Sequence, residues 1–179
     1  MRSLFSLALL GALSVSLHGS TLRQLGLDDM IRQSTTIVRG KAQQTSTSFH
    51  GSMIFTHYRI QVTETLKGSV ASQIDIGVPG GVVGGVDQRY AGAPSLSSTQ
   101  DYVLFLWTSK SGLTQVIGLS QGLFAVITNA AKQPVIVRAA ATERMLDASG
   151  QPVTDSDIQM LLSDLRTRIQ IVLSGRGGK

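Results

Sequence analysis

Gln33–Gly68 reads QSTTIVRGKAQQTSTSFHGSMIFTHYRIQVTETLKG, and this stretch decides the fold. Thr35–Ala42 carries β-branched residues in sequence and predicts a strand. Gln43–Ser52 is polar and predicts a loose, hairpin-type connection. From Met53 to Leu66 the pattern has period two. Ile54, Tyr58, Ile60, Val62 and Leu66 fall on one face, while Phe55, His57, Arg59, Gln61 and Thr63 fall on the other. The first face is expected in a core and the second in water. So long a strand suits one that coils around a barrel. Lys67-Gly68 then turns the chain.

The flanking segments extend this β pattern. Upstream, Leu25–Gln33 predicts a short helix, with Leu27, Met30 and Ile31 on one side and Asp28-Asp29 in the first turn, where the helix dipole favours them. Downstream, Gln73–Val78 predicts a return strand. Tyr102–Thr108 (YVLFLWT) is apolar on both faces, so it predicts a central strand covered on its outer side, with Trp107 in the core. Ser109–Gly112 is a hairpin turn. Thr114–Leu119, Leu123–Thr128 and Pro134–Arg138 continue as a meander. Thr154–Leu173 predicts a helix whose stripe of Ile158, Leu161, Leu162, Leu165, Ile169 and Val172 covers the barrel. Thr154 and Asp157 form its capping box, and Gly175 ends it.

Composition limits the class. The chain has 179 residues, 42% of them hydrophobic and 15% charged, which is the balance of a globular domain. With 19 glycines and only 5% aromatic residues, many turns and an aliphatic core are expected. There is no cysteine, which excludes disulfides, thiolate metal sites and a lipid-bearing N-terminal cysteine. The net charge of +5 is spread along the chain without aromatic interleaving, so no nucleic-acid surface is indicated. At the N-terminus, Arg2 precedes a short apolar run, Leu4–Val15, too short for the roughly 20 residues of a membrane span. Residues 1–20 are therefore expected to be a cleaved signal peptide, leaving a periplasmic or secreted protein with no membrane span. Residues 21–173 are expected to form a single OB-like β-barrel domain with its C-terminal helix, and 174–179 a disordered tail.

Few residues carry chemistry. Gly118-Leu119-Ser120-Gln121-Gly122 matches G-x-S-x-G, but that motif needs a strand, a strained turn and a helix. Here LFAVIT, a β-forming run, follows, and no histidine lies beyond His57. A hairpin turn is the reading that fits. His18, His50 and His57 have no metal-ligand spacing, so neither a metal nor a cofactor is expected. The long segment Pro79–Pro94 (PGGVVGGVDQRYAGAP) is the candidate ligand-binding loop. Gly80, Gly81, Gly84 and Gly85 would let the backbone approach a ligand, with Asp87, Gln88, Arg89 and Tyr90 supplying polar and aromatic contacts. The plainer alternative is that its glycines only relieve crowding.

LGLDDMIRQSTTIVRGKA, then THYRIQVTETLKG, then a strand ending in VPGG, resembles the start of a netrin-like module. That module is an OB-type barrel shared by netrin C-terminal domains and the tissue inhibitors of metalloproteinases. The same arrangement, with the paired glycines, Gly92-Ala93-Pro94, Val103–Leu106 and Val116–Gly122, resembles an uncharacterised family of exported bacterial proteins. The resemblance implies a barrel and a general binding role. The inhibitors' cysteine-based mechanism does not carry over to a chain without cysteine. The expectation is thus an exported, non-enzymatic binding module for a protein or cell-envelope ligand. Its rivals are a serine hydrolase using Ser120 and a structural or accessory domain of an envelope complex.

Export makes the first testable statement. Intact-mass measurement of the secreted product should find an N-terminus near Leu17 or between Ser20 and Thr21, and retention of Met1 would refute the signal-peptide assignment.

Overall fold

The computed structural model describes residues 21–175. The signal-peptide assignment, and the tail beyond Gly175, lie outside the described residues. The described residues are mainly β, with two α-helices among them. In order, its elements are β1 (Thr21–Arg23), α1 (Leu27–Gln33), β2 (Thr36–His50), β3 (Met53–Lys67), β4 (Gln73–Pro79), β5 (Gly81–Val83), β6 (Val86–Gln88) and β7 (Asp101–Thr108). There follow β8 (Thr114–Val116), a 3-10 turn at Leu119–Gly122, β9 (Leu123–Thr128), β10 (Pro134–Arg138), β11 (Arg144–Leu146), β12 (Pro152–Val153), β13 (Ile158–Leu161) and α2 (Leu162–Leu173).

The main sheet runs β13-β10-β9-β7-β2-β3-β4, with β8 also on β7, and all its ladders are antiparallel. It is built around the β2–β3 ribbon. The polar run Gln43–Ser52, expected as a loose connection, is strand except for Gly51-Ser52. Its Thr and Ser residues pair in register with β3, Thr45 opposite Tyr58 and Thr47 opposite Thr56, and cross-strand pairing overrides the local polarity. Gly51, at φ +63°, takes the first position of the two-residue turn. Three register shifts between Ile37 and Gln44 coil the ribbon. One needs Gly40, where a Cβ would collide with the Gln61 carbonyl oxygen.

The coiling brings β4 round toward β8, so that Leu113 packs over Gly77. Among the described residues no ladder joins β4 to β8 or to β13, so the sheet there is curled but not closed into a barrel.

β7 sits at the centre, with Tyr102–Leu106 buried on both faces as its sequence requires. Leu104 and Leu106 enter the core inside the curl with Val38, Tyr58, Ile60, Ile76, Val78 and Val116. Val103 and Phe105 enter a second core beneath the helices, with Met30 and Ile31 of α1 and Leu162, Leu165, Ile169 and Val172 of α2. Trp107 departs from expectation. It lies on the strand side of Val103 and Phe105 but past the helical cover, 45% exposed, in a groove with Leu22, Leu25 and Leu119. Phe55 departs in the opposite sense, since it is only 5% exposed. Its ring is flanked by His50 and His57, with Leu113 close by over Gly77.

The last helix is shorter than its periodicity predicts. Ile158–Leu161 is a strand on β10, Val135 opposite Leu161 and Arg138 opposite Ile158. The apolar side chains at 158 and 160 reach the helical core from a strand as well as from a helix, so the stripe alone did not separate the two. Asp157, expected in the capping box, is used elsewhere, as is its neighbour Asp155. Asp157 accepts from the Ala140 amide at 2.7 Å, and Asp155 accepts from the Ala141 amide at 2.8 Å and from Arg138 at 3.0 Å. These bonds close the neck of an excursion, residues 139–157, whose β11–β12 pair joins β1 in a small separate sheet. β11 runs parallel to β1, and nothing in the sequence pattern had marked it.

Polar bonds fix the helices. Lys67, at the end of β3, donates from Nζ to the carbonyls of Ile31, Arg32 and Ser34, where α1 leaves its last carbonyls without helical partners. Arg166 of α2 forks onto Glu64 at 2.7 and 2.8 Å, and Arg168 forks onto Asp28 of α1, both bonds at 2.7 Å. Leu165, wholly buried between these supports, is the test of the arrangement. Leu165→Ala should lower stability by about 2–5 kcal/mol, read by denaturant unfolding; an unchanged midpoint would show that the fold does not depend on α2.

Candidate functional site

Pro79–Pro94 is not a loose loop. β5 and β6 form a hairpin, Gly81 opposite Gln88 and Val83 opposite Val86. Its turn is Gly84-Gly85, with φ of +58° and +83°, the positive pair that a type I′ turn demands. The hairpin lies on the inner face of the β2–β3 ribbon. The Gly80 amide donates to the Ile54 carbonyl at 2.8 Å, and Thr56 Oγ1 donates to the Gly80 carbonyl at 2.8 Å. A Cβ on Gly81 would stand 2.8–3.2 Å from Thr56, Thr47 and Ile54, so this glycine is required for close packing. Gln88 clasps the ribbon's end: its Oε1 accepts from the Ile54 amide at 2.7 Å and its Nε2 donates to the Ser52 carbonyl at 2.9 Å.

The eight candidate residues therefore divide. Gly80, Gly81 and Gln88 seat the hairpin on the ribbon. Gly84 and Gly85 form its tip, with open space around both. Asp87, Arg89 and Tyr90 are exposed or partly so. Arg89 does not present a free charge, since it donates to Asp87 from Nε at 3.0 Å and Nη2 at 2.8 Å. That bond holds the Asp87 carboxyl below the usual aspartate range and raises Arg89. Tyr90 and Arg89 border a shallow cleft of about 250 Å³ together with Tyr58, Val78, Ala93 and Pro94.

A larger concavity, about 690 Å³, lies on the other face of the ribbon and is lined by Gln44, Thr45, Ser46, His57, Arg59 and Asp75. Ladder register builds it. One row across the sheet is Gln44–Arg59–Asp75 and the next is Ser46–His57–Gly77. Arg59 forks onto Asp75 at 2.8 and 3.0 Å, and its Nη1 reaches Gln44 Oε1 at 3.4 Å. His57 Nε2 and Ser48 Oγ are hydrogen-bonded at 2.9 Å. Donation from Arg59 lowers the Asp75 pKa and raises that of Arg59, and the neighbouring His57 lowers Asp75 slightly further. Beside His57, glycine at 77 leaves room for Leu113, which packs over it and borders the array. The result is a fixed array of amide, hydroxyl, imidazole, guanidinium and carboxylate groups, able both to donate and to accept.

His57 and Arg59 were legible as the wet face of their strand. Asp75 and Gln44 were not, because they become their neighbours only through pairing register. Opposite charges on successive predicted strands, Arg59 and Asp75, were the available signal.

Gly118–Gly122 is not an elbow. A 3-10 turn leads directly into β9, with Gly118 and Leu119 at φ of +61° and +58°. The Ser120 amide donates to the Gly92 carbonyl at 3.0 Å. Among the described residues, no hydrogen bond joins Ser120 Oγ to a histidine or a carboxylate. Gln121 is the structural member: buried, it accepts from the Leu25 amide at 2.8 Å and donates to the Arg23 carbonyl at 3.0 Å, pinning β1. The strand expected over Thr114–Leu119 accordingly stops at Val116.

No protein-family profile, curated protein or solved structure matches the chain.

The two roles of the hairpin's residues differ in stability. Gln88→Ala strands the Ile54 amide and the Ser52 carbonyl and should cost about 1–3 kcal/mol, whereas Arg89→Ala with Tyr90→Ala should shift the unfolding midpoint little. Equal losses in a thermal melt would mean that the whole segment packs as structure.

Proposed function

We propose that this chain is an exported, non-enzymatic binding module, an open OB-like barrel of the netrin-like kind, whose ligand is a protein or a cell-envelope component. The observation that carries the reading is the concavity on the outer face of β2, β3 and β4. It is built on the paired ladders of β2, β3 and β4, and its groups are oriented by bonds to one another before any ligand arrives. Pre-ordered side chains lose little entropy when a ligand binds. Forked Arg59–Asp75 and the Ser48–His57 bond leave lone pairs and N–H groups facing outward, suited to hydroxyl and amide groups of a glycan or a polypeptide.

The Gly-rich hairpin is the weaker location for the site, because three of its candidate residues are occupied in packing and Arg89 is neutralised by Asp87. Ser120 supports a turn rather than a nucleophile, because its neighbour Gln121 secures β1 and its amide is bonded to Gly92. The curl of the sheet, the α1–β2 entry and the long β2–β3 ribbon are what support the netrin-like resemblance.

The experiment is affinity capture from native envelope extract, with captured species identified by mass spectrometry. The wild-type chain is compared with Arg59→Ala/Asp75→Ala and with Arg89→Ala/Tyr90→Ala. Both arginines are solvent-exposed pairs, worth little to stability, so each variant should fold. Loss of the captured species in the first variant alone is the expected result. Loss in the second alone would move the site to the hairpin, and turnover of a captured substrate dependent on Ser120 would overturn the non-enzymatic reading.

A further inference from the structure

We propose that the open edge of β2, centred on Gln44–Ser48, pairs antiparallel with the same segment of a second copy of this chain. β7 accompanies β2 only from Thr36 to Gly40. From Lys41 onward β2 keeps β3 on one side, and among the described residues no strand lies on the other. Every residue from Gln43 to His50 is exposed. All the register shifts of the ribbon fall before Gln44. From Gln44–Arg59 to His50–Met53 the ladder is unbroken, so the edge is regular where it is open.

Such an edge presents alternate N–H and C=O groups without partners, and proteins ordinarily guard it with lysine, proline, a bulge or shortness. Gln44–His50 (QTSTSFH) has none of these guards. It carries no lysine, arginine, aspartate or glutamate, no proline and no glycine.

An identical strand fits it. A two-fold axis normal to the sheet at Ser46 sets Ser46 opposite the second copy's Ser46, Thr45 opposite its Thr47, and Gln44 opposite its Ser48. Each pair then shares a face, as antiparallel pairing requires. Thr–Thr and Ser-containing pairs are favourable cross-strand partners. No like charges come opposite, although the chain as a whole carries +5. Lys41, the nearest cation on the strand, falls opposite Gly51. Phe49 and Val82, 50% and 56% exposed at the same end, add apolar area beside the seam. A seam this short falls below the roughly 1,200 Å² typical of stable interfaces, so the dimer is a concentration-dependent one.

The absence of cysteine makes the test clean. The full chain is followed by sedimentation equilibrium over a wide concentration range, and single-cysteine variants are cross-linked by mild oxidation. Antiparallel neighbours stand within the Cα separation that a disulfide spans. The mass should rise toward twice that of one chain. Ser46→Cys should cross-link at least tenfold faster than Ser163→Cys on the exposed side of α2. Ser46→Lys, which places two ammonium groups on the axis, should abolish the rise while keeping the wild-type melting curve. A mass that stays monomeric, cross-linking at Ser46 no faster than at Ser163, or a dimer that survives Ser46→Lys would each overturn the proposal.

Discussion

Burial of β7 on both faces is the constraint on which the rest depends. Tyr102–Leu106 is a run of large side chains, and a strand alternates them up and down whatever their chemistry. Each such side chain, when buried, is worth about 1.5–3 kcal/mol. Leaving either face wet would forfeit several of them at once. The sheet therefore has to supply two covers. The curl of β2, β3 and β4 supplies one, and α1 with α2 supplies the other. The forks of Arg166 on Glu64 and Arg168 on Asp28, and the three bonds of Lys67, set where that second cover sits.

Polar groups at the joints decide the irregular parts. Arg138 and Asp155 are almost wholly buried, at 6% and 4% side-chain exposure, and meet at 3.0 Å. Arg138 also lies over the Phe124 ring at 5.9 Å, while its Nε and Nη1 have no protein partner. A buried pair of this kind adds little net stability, but removal of one partner is costly because the other charge is left in the interior. Burial works against the charge of Asp155, and the Ala141 amide, Arg138 and the Ser156 amide outweigh it, leaving the carboxyl below the ordinary range. Its contribution is accordingly present above the unfolded aspartate pKa and is lost as the pH falls through the lower folded value. The pair thus serves to position the neck of the 139–157 excursion, and with it β11 and β1.

The ribbon extends past the body of the sheet, and this gives the molecule its usable surfaces. Inside, the β5–β6 hairpin fills the space against Ile54, Thr47 and Thr56. Outside, the same residues' neighbours form the polar concavity. Along the edge, β2 runs on beyond β7. One long pair of strands thereby offers a covered face, an open polar face and an unpaired edge.

From the sequence alone the long strands could be placed. Period two in Met53–Leu66 and the doubly apolar Tyr102–Thr108 both demand cover, because a strand in water cannot expose that much apolar surface, although Phe55 is buried and Trp107 exposed against the expected pattern. The first helix was legible for a similar reason: Met30 and Ile31 fall on one side, and both are buried. Tertiary structure decided the segments whose local chemistry permits more than one answer. Gln43–His50 is polar enough for a turn and becomes strand because β3 pairs with it. Ile158–Leu161 satisfies a helical stripe and becomes strand because β10 offers an edge. Pro79–Pro94 is glycine-rich enough for a loose loop and becomes a seated hairpin because Gln88 and Gly81 fit the ribbon. The candidate site divided along the same line. His57 and Arg59 could be placed on one face from their spacing alone, but Gln44 and Asp75 join them only through register, which depends on bulges and turns that period-two patterning does not encode.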